Sequence, residues 1–322
     1  MKFNALFKFF PPPKFLDIPF AGLSISDSAV RCIQLRKKEN KLYVEKYAEK
    51  SISPGTVAAG QINNKEEVVK ILSDLKKNLN LEYVKISLPE EKAYLFTAKI
   101  PKVEKEEVRS AIESKIEENV PVSPSELWFD YNLFDYREED HLNVVVSALP
   151  IGLIDLYVSL AKESGLSLLS LEIESQAIAR ALFPRGASDT SLIIHFGPEK
   201  VGLYVSSFRV IHFTSTIAMK GENLNNPSFL LQEIKKLYLY WHTLKENAGK
   251  PERKISRIIV CGEKFDDSMI SYLENHLDTP IALANVWTNV LDINNTVPEI
   301  PFRDSLRYAA SVGLALPSDV LV

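Results

Sequence analysis

The sequence AGLSISDSAVRCIQL at residues 21–35 consists of two alternating apolar segments on either side of a short polar turn. Alternation of this kind predicts antiparallel strands, here Phe20–Ile25 and Ala29–Leu35, followed by Lys41–Tyr47. The same order recurs at LIIHFGPEKVGLYV, residues 192–205, where the predicted strands are Ser191–Phe196, Val201–Val205 and Arg209–Thr216. The repeat indicates an internal duplication, with two α/β halves that each open with a three-stranded meander.

Outside these meanders, segments whose apolar residues have helical spacing alternate with segments whose apolar residues have strand spacing. After the first meander, Asn63 or Asn64 is placed to cap a helix with an apolar face, and strand Tyr83–Leu88 follows. The next block predicts a β-α-β-β-α subdomain, made of strand Ala93–Ile100, helix Lys105–Val120, a hairpin over Glu126–Leu149 that turns at Glu138–His141, and helix Ile151–Ser164. The remaining predicted elements are strand Leu168–Ile173, helix Glu174–Leu182, helix Ser228–Asn247, strand Arg257–Val260, helix Asp267–His276 and helix Ser305–Leu314.

Composition excludes several classes of protein. The 322 residues carry 38 Lys and Arg against 42 Asp and Glu, so the net charge of −4 provides no basic surface for nucleic acid. The two cysteines, Cys32 and Cys261, are too few for a disulfide framework or a zinc motif. No apolar run is long enough to span a membrane. We therefore expect a cytoplasmic protein without a nucleic-acid partner.

The first residues differ from the rest of the chain. Met1–Phe10 combines phenylalanine and leucine side chains with Lys2 and Lys8, and Pro11–Pro13 follows. One interpretation is a frayed tail. The other is a weak interfacial anchor, in which aromatic rings enter the lipid headgroups beside lysines that are attracted to anionic lipid.

Ordinary catalytic motifs are missing from the sequence. It contains no GxSxG, GxGxxG or GxxxxGK[ST] motif. The five histidines are dispersed without ligand spacing, which predicts no metal site; they are His141, His195, His212, His242 and His276. Several aromatic side chains could instead line a peptide-binding groove.

Three longer stretches resemble the PilM family of the actin-like ATPase superfamily, which is related to FtsA. They are AVRCIQL at 29–35, AKIPKVEKEEVRSAIESKIEENVPVSPSELWFDYNLF at 98–134 and SLLSLEIESQAIARALF at 167–183. The resemblance extends from Phe20 to Leu316 and implies an actin-like (ribonuclease H-like), duplicated, two-lobed α/β fold with an inserted β-α-β-β-α subdomain. It divides the chain into a tail (1–18), a first lobe (19–91, with 167–186 and 303–322), an inserted subdomain (92–166) and a second lobe (187–302).

The nucleotide signatures of that family are altered in this sequence. Where the family has Asp-Ile-Gly in its two phosphate loops, this chain has Ser24-Ile25-Ser26 and His195-Phe196-Gly197, and a glycine run in the adenosine loop becomes Gly262-Glu263-Lys264. Arg31 stands at the position of a basic residue, and Glu174 at the strand-to-helix junction is retained. Loss of both aspartates removes the oxygen ligands of magnesium. We therefore expect neither ATP turnover nor tight binding of ATP and magnesium.

The resemblance implies a non-catalytic scaffold at the inner membrane, in a type IV pilus or a related type II secretion machine. Its expected partner is a PilN-like membrane protein, whose cytoplasmic peptide enters a groove between the first lobe and the inserted subdomain; other pilus assembly proteins are further candidates. The residues expected at that groove are Tyr94, Phe96, Ile112 and Ile116. One alternative is an active ATPase with Asp27 and Glu199 as unorthodox ligands. Another is an FtsA-like membrane tether that uses the N-terminal aromatic residues.

Overall fold

The computed structural model describes residues 18–317, apart from 39–40, 105, 135–140, 224–225, 246, 248 and 293–295. The predicted N-terminal tail, most of the predicted turn at Glu138–His141 and the final residues of the chain therefore lie outside the described residues. In chain order the strands are β1 (Phe20–Ile25), β2 (Ala29–Lys38), β3 (Lys41–Ser51), β4 (Val57–Ala58), β5 (Gln61–Ile62), β6 (Tyr83–Leu88), β7 (Tyr94–Pro101), β8 (Leu127–Phe134), β9 (His141–Pro150), β10 (Ser167–Ile173), β11 (Thr190–Phe196), β12 (Lys200–Ser207), β13 (Val210–Ala218), β14 (Ile255–Gly262) and β15 (Ile281–Leu283). The helices are α1 (Lys65–Leu79), α2 (Val108–Asn119), α3 (Ile151–Glu163), α4 (Glu174–Leu182), α5 (Pro227–Thr243), α6 (Asp267–Glu274), α7 (Phe302–Ser305) and α8 (Ala309–Ala315).

Two five-stranded sheets have the same topology. The first has the order β3-β2-β1-β6-β10 and the second the order β13-β12-β11-β14-β15. In each sheet an antiparallel meander is extended by two parallel strands. This matching order confirms the duplication that was predicted from the two meanders.

Local signals in the sequence explain where the helices begin and end. The side chain of Asn64, one of the two predicted caps, accepts a hydrogen bond from the Glu67 backbone N–H at 3.1 Å and caps α1. That helix ends at Asn80, which adopts a left-handed conformation. The predicted last helix is divided instead into α7, a short 3-10 turn and α8.

The two lobes share a core in which α4 and α8 cross. At Gly313 a side chain is excluded, because a Cβ atom would lie 1.8 Å from the carbonyl oxygen of Ala177. All seven residues of α8 are buried. The shared core includes Ile33 of the first sheet, Ile193 of the second and the fully buried Trp287. This packing fixes the meander turns of the two lobes opposite each other.

The inserted segment forms a three-stranded sheet, β7-β9-β8, that packs on α2. Helix α3, which we grouped with this subdomain from the sequence, packs elsewhere. Its buried residues Tyr157, Leu160 and Ala161 belong to the core under the first sheet. On its other face this sheet meets β13 of the second lobe through β7 and β9, and the β8 side of that face, with the exposed Trp128, borders β10.

Candidate functional site

The cleft between the lobes is where most of the predicted nucleotide residues lie. The β1–β2 turn of the first lobe and the end of β14 in the second lobe meet through the hydroxyl of Ser28, which donates to Glu263 Oε1 at 2.7 Å. The β11–β12 turn and the start of α4 complete the cleft, since His195 Nδ1 lies 3.7 Å from Glu174 Oε2. Tertiary packing therefore brings together turns that are more than 200 residues apart.

An ion pair crosses this cleft between Arg31 and Glu263. Arg31 Nη2 donates to Glu263 Oε2 at 2.8 Å, and Arg31 Nε donates to Glu49 Oε2 at 3.0 Å. The Arg31 side chain is only 5% exposed, which strengthens both contacts. Both carboxylate oxygens of Glu263 are engaged, one by Arg31 and the other by Ser28. The adenosine-loop glutamate is thus neutralised within the protein.

Lys200, which the sequence interpretation missed, provides a second cross-lobe contact. Its ammonium forms a close ion pair with Glu91 and lies 3.6 Å from Asp27 Oδ1. Burial opposes its charge, but the carboxylates of Glu174, Glu91 and Asp27 outweigh burial and raise the pKa of Lys200. Lys200 directly follows the Pro-Glu pair of the β11–β12 turn, and only the packing of the two lobes places it among these acids.

Burial shifts the pKa values of Glu174 and His195, the two groups beside Lys200, in opposite directions. It raises the pKa of Glu174 to about 7, with Lys200 opposing the shift and Glu91 and Asp27 adding to it. Burial, reinforced by the charges of Lys200 and Arg31, lowers the pKa of His195 to about 4. At neutral pH His195 is therefore uncharged, and Glu174 lies close to half-protonation.

The other predicted cleft residues have structural hydrogen bonds. Ser24 requires a correction, because it is buried and its hydroxyl lies 2.7 Å from that of Ser311, so it is not available to a ligand. Ser26 closes the β1–β2 turn by donating to the carbonyl of Ala29 at 3.0 Å. The backbone N–H of Gly197 donates to the carbonyl of Lys200 at 2.8 Å and closes the β11–β12 turn.

The backbone conformation and close packing at position 262 require glycine. Gly262 has a φ of +99°, and a Cβ atom there would lie 2.1 Å from the carbonyl oxygen of Phe196. The next residue, Glu263, donates its N–H to the same carbonyl at 2.8 Å. This amide is therefore committed within the sheet, and it is not available to a phosphate.

These observations do not fit a magnesium nucleotide. Arg31 and Lys200, two cations of this cleft, are both paired with carboxylates. Among the described residues, no group of three or more His, Cys, Asp or Glu side chains has a geometry that could hold a metal ion. Of the unorthodox ligands, Asp27 faces Lys200, whereas Glu199 is 61% exposed and pairs with Lys220 at 2.8 Å.

A second concave site, which we call the β10 groove, has a volume of about 980 Å³. Its walls are β10, the free face of β8 and the hairpin between β12 and β13. One large apolar side chain from each wall is exposed: Leu169 by 43%, Trp128 by 55% and Phe208 by 39%. An exposed apolar set of this kind within one groove is typical of a binding surface.

The partner residues predicted from the sequence lie on the opposite face of the inserted sheet. Tyr94 and Phe96 are half-buried and pack toward α2, because alternate residues of a strand share a face. Ile112 and Ile116 are fully buried in the core beneath them. These two isoleucines therefore cannot contact a partner in this structure, and the groove uses Trp128 and Ser147 of the other face instead.

Among the helices within residues 18–317, outside the gaps given above, none is long and apolar enough to cross a bilayer.

Comparison with known proteins gives one family and one fold. The family model for the type IV pilus assembly protein PilM matches residues 22–240. A solved structure described as a PilM-PilN type IV pilus biogenesis complex is similar to this chain, with a TM-score of 0.77 and 16% identity over 92% of this chain and 98% of the other. The ethanolamine utilization protein EutJ from Carboxydothermus hydrogenoformans is also similar, with a TM-score of 0.52 and 14% identity over 95% of this chain and 90% of its own. No curated protein matches the chain. These matches confirm the actin-like fold that was expected from the sequence.

Proposed function

Because the chain belongs to the family of the type IV pilus assembly protein PilM, we propose that it is a non-catalytic scaffold of the pilus assembly machine. In this role it lies on the cytoplasmic side of the inner membrane and reaches the membrane through a PilN-like partner. The interlobe cleft holds the lobes together with internal ion pairs in place of a nucleotide, and the β10 groove binds the partner.

The charge balance of the cleft is the observation that carries the non-catalytic role. Arg31 and Lys200 face the carboxylates of Asp27, Glu91 and Glu263, with Glu174 close by. These two cations therefore already face three carboxylates before any ligand enters. A triphosphate adds about four negative charges, and the Coulomb repulsion is strong in a partly buried site. To bind the phosphates, Arg31 and Lys200 would also have to break their present ion pairs with Glu263 and Glu91.

The β10 groove supports the proposed partner. The similar solved structure is a complex of PilM with PilN, which motivates a PilN-like protein as the ligand here. The groove lies between the first sheet and the inserted subdomain, in agreement with the region implied by the sequence resemblance. Its exposed side chains Trp128, Leu169 and Phe208 suit an apolar cytoplasmic peptide.

An active ATPase is the less supported alternative. It requires Asp27 and Glu199 to act on one ligand, yet Asp27 faces Lys200 and Glu199 pairs with Lys220 at the surface. The tether alternative depends on residues 1–13, which lie outside the described residues.

Isothermal titration calorimetry tests the two parts of this proposal separately. Titration with Mg·ATP is expected to give no binding up to millimolar nucleotide, and micromolar affinity would overturn the non-catalytic role. Titration with a synthetic peptide of the cytoplasmic N-terminus of the PilN-like protein from the same organism is expected to give saturable binding. Trp128→Ala should weaken that binding about tenfold, as expected for an interface aromatic residue, whereas Leu239→Ala, at a 69% exposed position on α5, should not change it. Equal affinities of the two variants would remove the groove from the proposal.

A further inference from the structure

The turn end of the β2–β3 hairpin projects beyond the first sheet. The last pair between β1 and β2 joins Ala21 to Gln34, whereas β2 and β3 remain paired as far as Lys38 and Lys41. Four further residues of β2 therefore extend about 13 Å past the β1–β2 pairing, at roughly 3.4 Å per residue. We call this projection, residues 36–45 outside the gap at 39–40, the basic hairpin.

A bulge lies at the base of the basic hairpin. The pairing register shifts between Gln34 and Leu35, so that Glu45 is an extra residue of β3. Its carboxylate accepts hydrogen bonds from Gln34 Nε2 at 3.2 Å and from Arg36 Nη1 at 2.8 Å. The carboxylate that the structure describes in this hairpin is therefore engaged at the base and does not neutralise the tip.

Lysine side chains occupy the tip. Lys38 and Lys41 are both exposed and lie directly opposite each other, and Lys37 beside them is exposed as well. Like charges opposite each other on paired strands repel, so this arrangement does not favour folding. Residues 36–45 contain four Lys and Arg against two Glu, whereas the whole chain has a net charge of −4. Positive charge is thus concentrated on one projection of an acidic protein.

The described chain begins beside the base of the basic hairpin. Phe20 opens β1 next to Ala21, whose partner is Gln34, and Ile18 before it is 46% exposed. The 17 residues that precede Ile18 contain three lysines, one aspartate and five phenylalanines. Aromatic and basic side chains in one segment are typical of binding at the surface of a lipid bilayer. The fold therefore brings this segment and the basic hairpin to the same end of the first sheet.

We infer that the basic hairpin contacts the anionic surface of the membrane directly. This contact goes beyond the proposed function, in which the chain reaches the membrane through its partner. Phosphate groups of anionic lipids pair with Lys38 and Lys41, which relieves the repulsion between the two opposed ammonium groups. The segment before Ile18 enters the sheet at the same end and adds its lysines and aromatic rings to the same lipid surface.

Co-sedimentation of the full chain with lipid vesicles, in the absence of any partner, tests this contact. We expect binding to vesicles of phosphatidylglycerol and phosphatidylcholine in equal parts, and none to phosphatidylcholine alone. Binding should be lost in concentrated salt, because the screening length falls from about 10 Å at 0.1 M to about 3 Å at 1 M. Equal binding to both kinds of vesicle, or no binding to either, would overturn the inference.

Two matched double variants locate the contact. Lys38→Gln/Lys41→Gln should weaken binding to the anionic vesicles about thirtyfold, and it should not lower stability, since it removes two opposed charges. Lys50→Gln/Lys235→Gln removes two other exposed lysines, at the far end of β3 and on α5, and should weaken binding less than about threefold. Equal losses in the two variants would show that net charge, and not the basic hairpin, attracts the protein.

Acetylation of lysine side chains, followed by mass spectrometry, provides a second readout. Anionic vesicles should slow the reaction of Lys38 and Lys41, whereas Lys50 and Lys235 should react as they do without lipid. Unchanged reactivity at the tip would contradict the inference. So would binding that depends on residues 1–13 but not on the two tip lysines, and so would a dimer of the free protein that the tip variant dissociates. Peptide titration without lipid tests the proposed function, so either proposal can fail while the other stands.

Discussion

Glu263 of the second lobe accepts a hydrogen bond from Arg31 of the first lobe at 2.8 Å, across 232 residues of sequence. The two side chains are 15% and 5% exposed, so water screens the pair only in part. The cleft between the lobes is thus closed by the side chains of the protein itself.

Glu263→Gln should lower the free energy of unfolding by about 2 kcal/mol, because Arg31 loses a largely buried partner while Glu49 still neutralises it in part. Urea denaturation at neutral pH measures this change. Glu199→Gln is the matched control, since its pair with Lys220 is more than 60% exposed on both sides and solvent screening leaves such a surface pair little effect on stability. If the two variants lost equal stability, the cross-lobe pair would not hold the cleft closed.

Lys200→Met should be more destabilising, by about 3 kcal/mol, because it leaves Asp27, Glu91 and Glu174 without their shared cation. The loss should become smaller as the pH falls from 7 to 5, since Glu174, whose pKa is raised to about 7, then becomes protonated and no longer repels the other two carboxylates. Denaturation of the variant and of Lys220→Met at both pH values tests this expectation. A loss that is independent of pH would mean that Lys200 contributes through packing of its aliphatic chain.

Glu174 should make folding less favourable as the pH rises. Its folded pKa is raised to about 7 from the ordinary value of 4.5, so the folded state binds more protons between these values. The stability that it contributes is complete below pH 4.5 and is lost as the pH rises through 7. The unfolding free energy of wild type minus that of Glu174→Gln should therefore fall by about 3 kcal/mol between pH 4.5 and pH 8. Glu90, with a pKa raised to about 7 by burial, has the same sign and remains in both proteins.

His195, in contrast to Glu174, should make folding more favourable as the pH rises from 4 to 6.5. Its folded pKa is lowered to about 4 from 6.5, so the unfolded state binds the extra proton and stability rises with pH between 4 and 6.5. The unfolding free energy of wild type minus that of His195→Gln should therefore rise from pH 4 to pH 6.5, whereas the similar effect of His212, whose pKa burial lowers to about 3, remains in both proteins. Measurements of both proteins at unit pH intervals would refute the assignment if this difference did not increase toward pH 6.5.

Replacement of Phe208-Arg209 by Asn-Gly should separate stability from binding. Asn-Gly suits the two positive φ angles, so the free energy of unfolding should rise by about 1 kcal/mol. Peptide affinity should fall, because Phe208 and Arg209 leave the groove. Thermal denaturation and peptide titration on the same preparation measure both changes. A variant that gained stability and kept full affinity would show that the turn residues do not serve the ligand.

Periodicity and turn chemistry are local, and they predicted the repeated meanders, a cap at Asn63 or Asn64 and the apolar face of α1. Alternation along β7 placed Tyr94 and Phe96 on one face, but it could not tell which face would meet a helix. Packing of α2 decided that, and it left Trp128 on the side of the groove.

The charge pairs of the cleft depend on the whole fold. The sequence resemblance placed Arg31 at the position of a basic residue and identified Glu263 as a departure from the nucleotide signatures, yet it could not show that the two bind each other. Lys200 and Glu91, 109 residues apart, gave no local signal at all. Secondary structure follows from neighbours along the chain, whereas these contacts exist only because the crossing of α4 and α8 holds two separately folded sheets face to face.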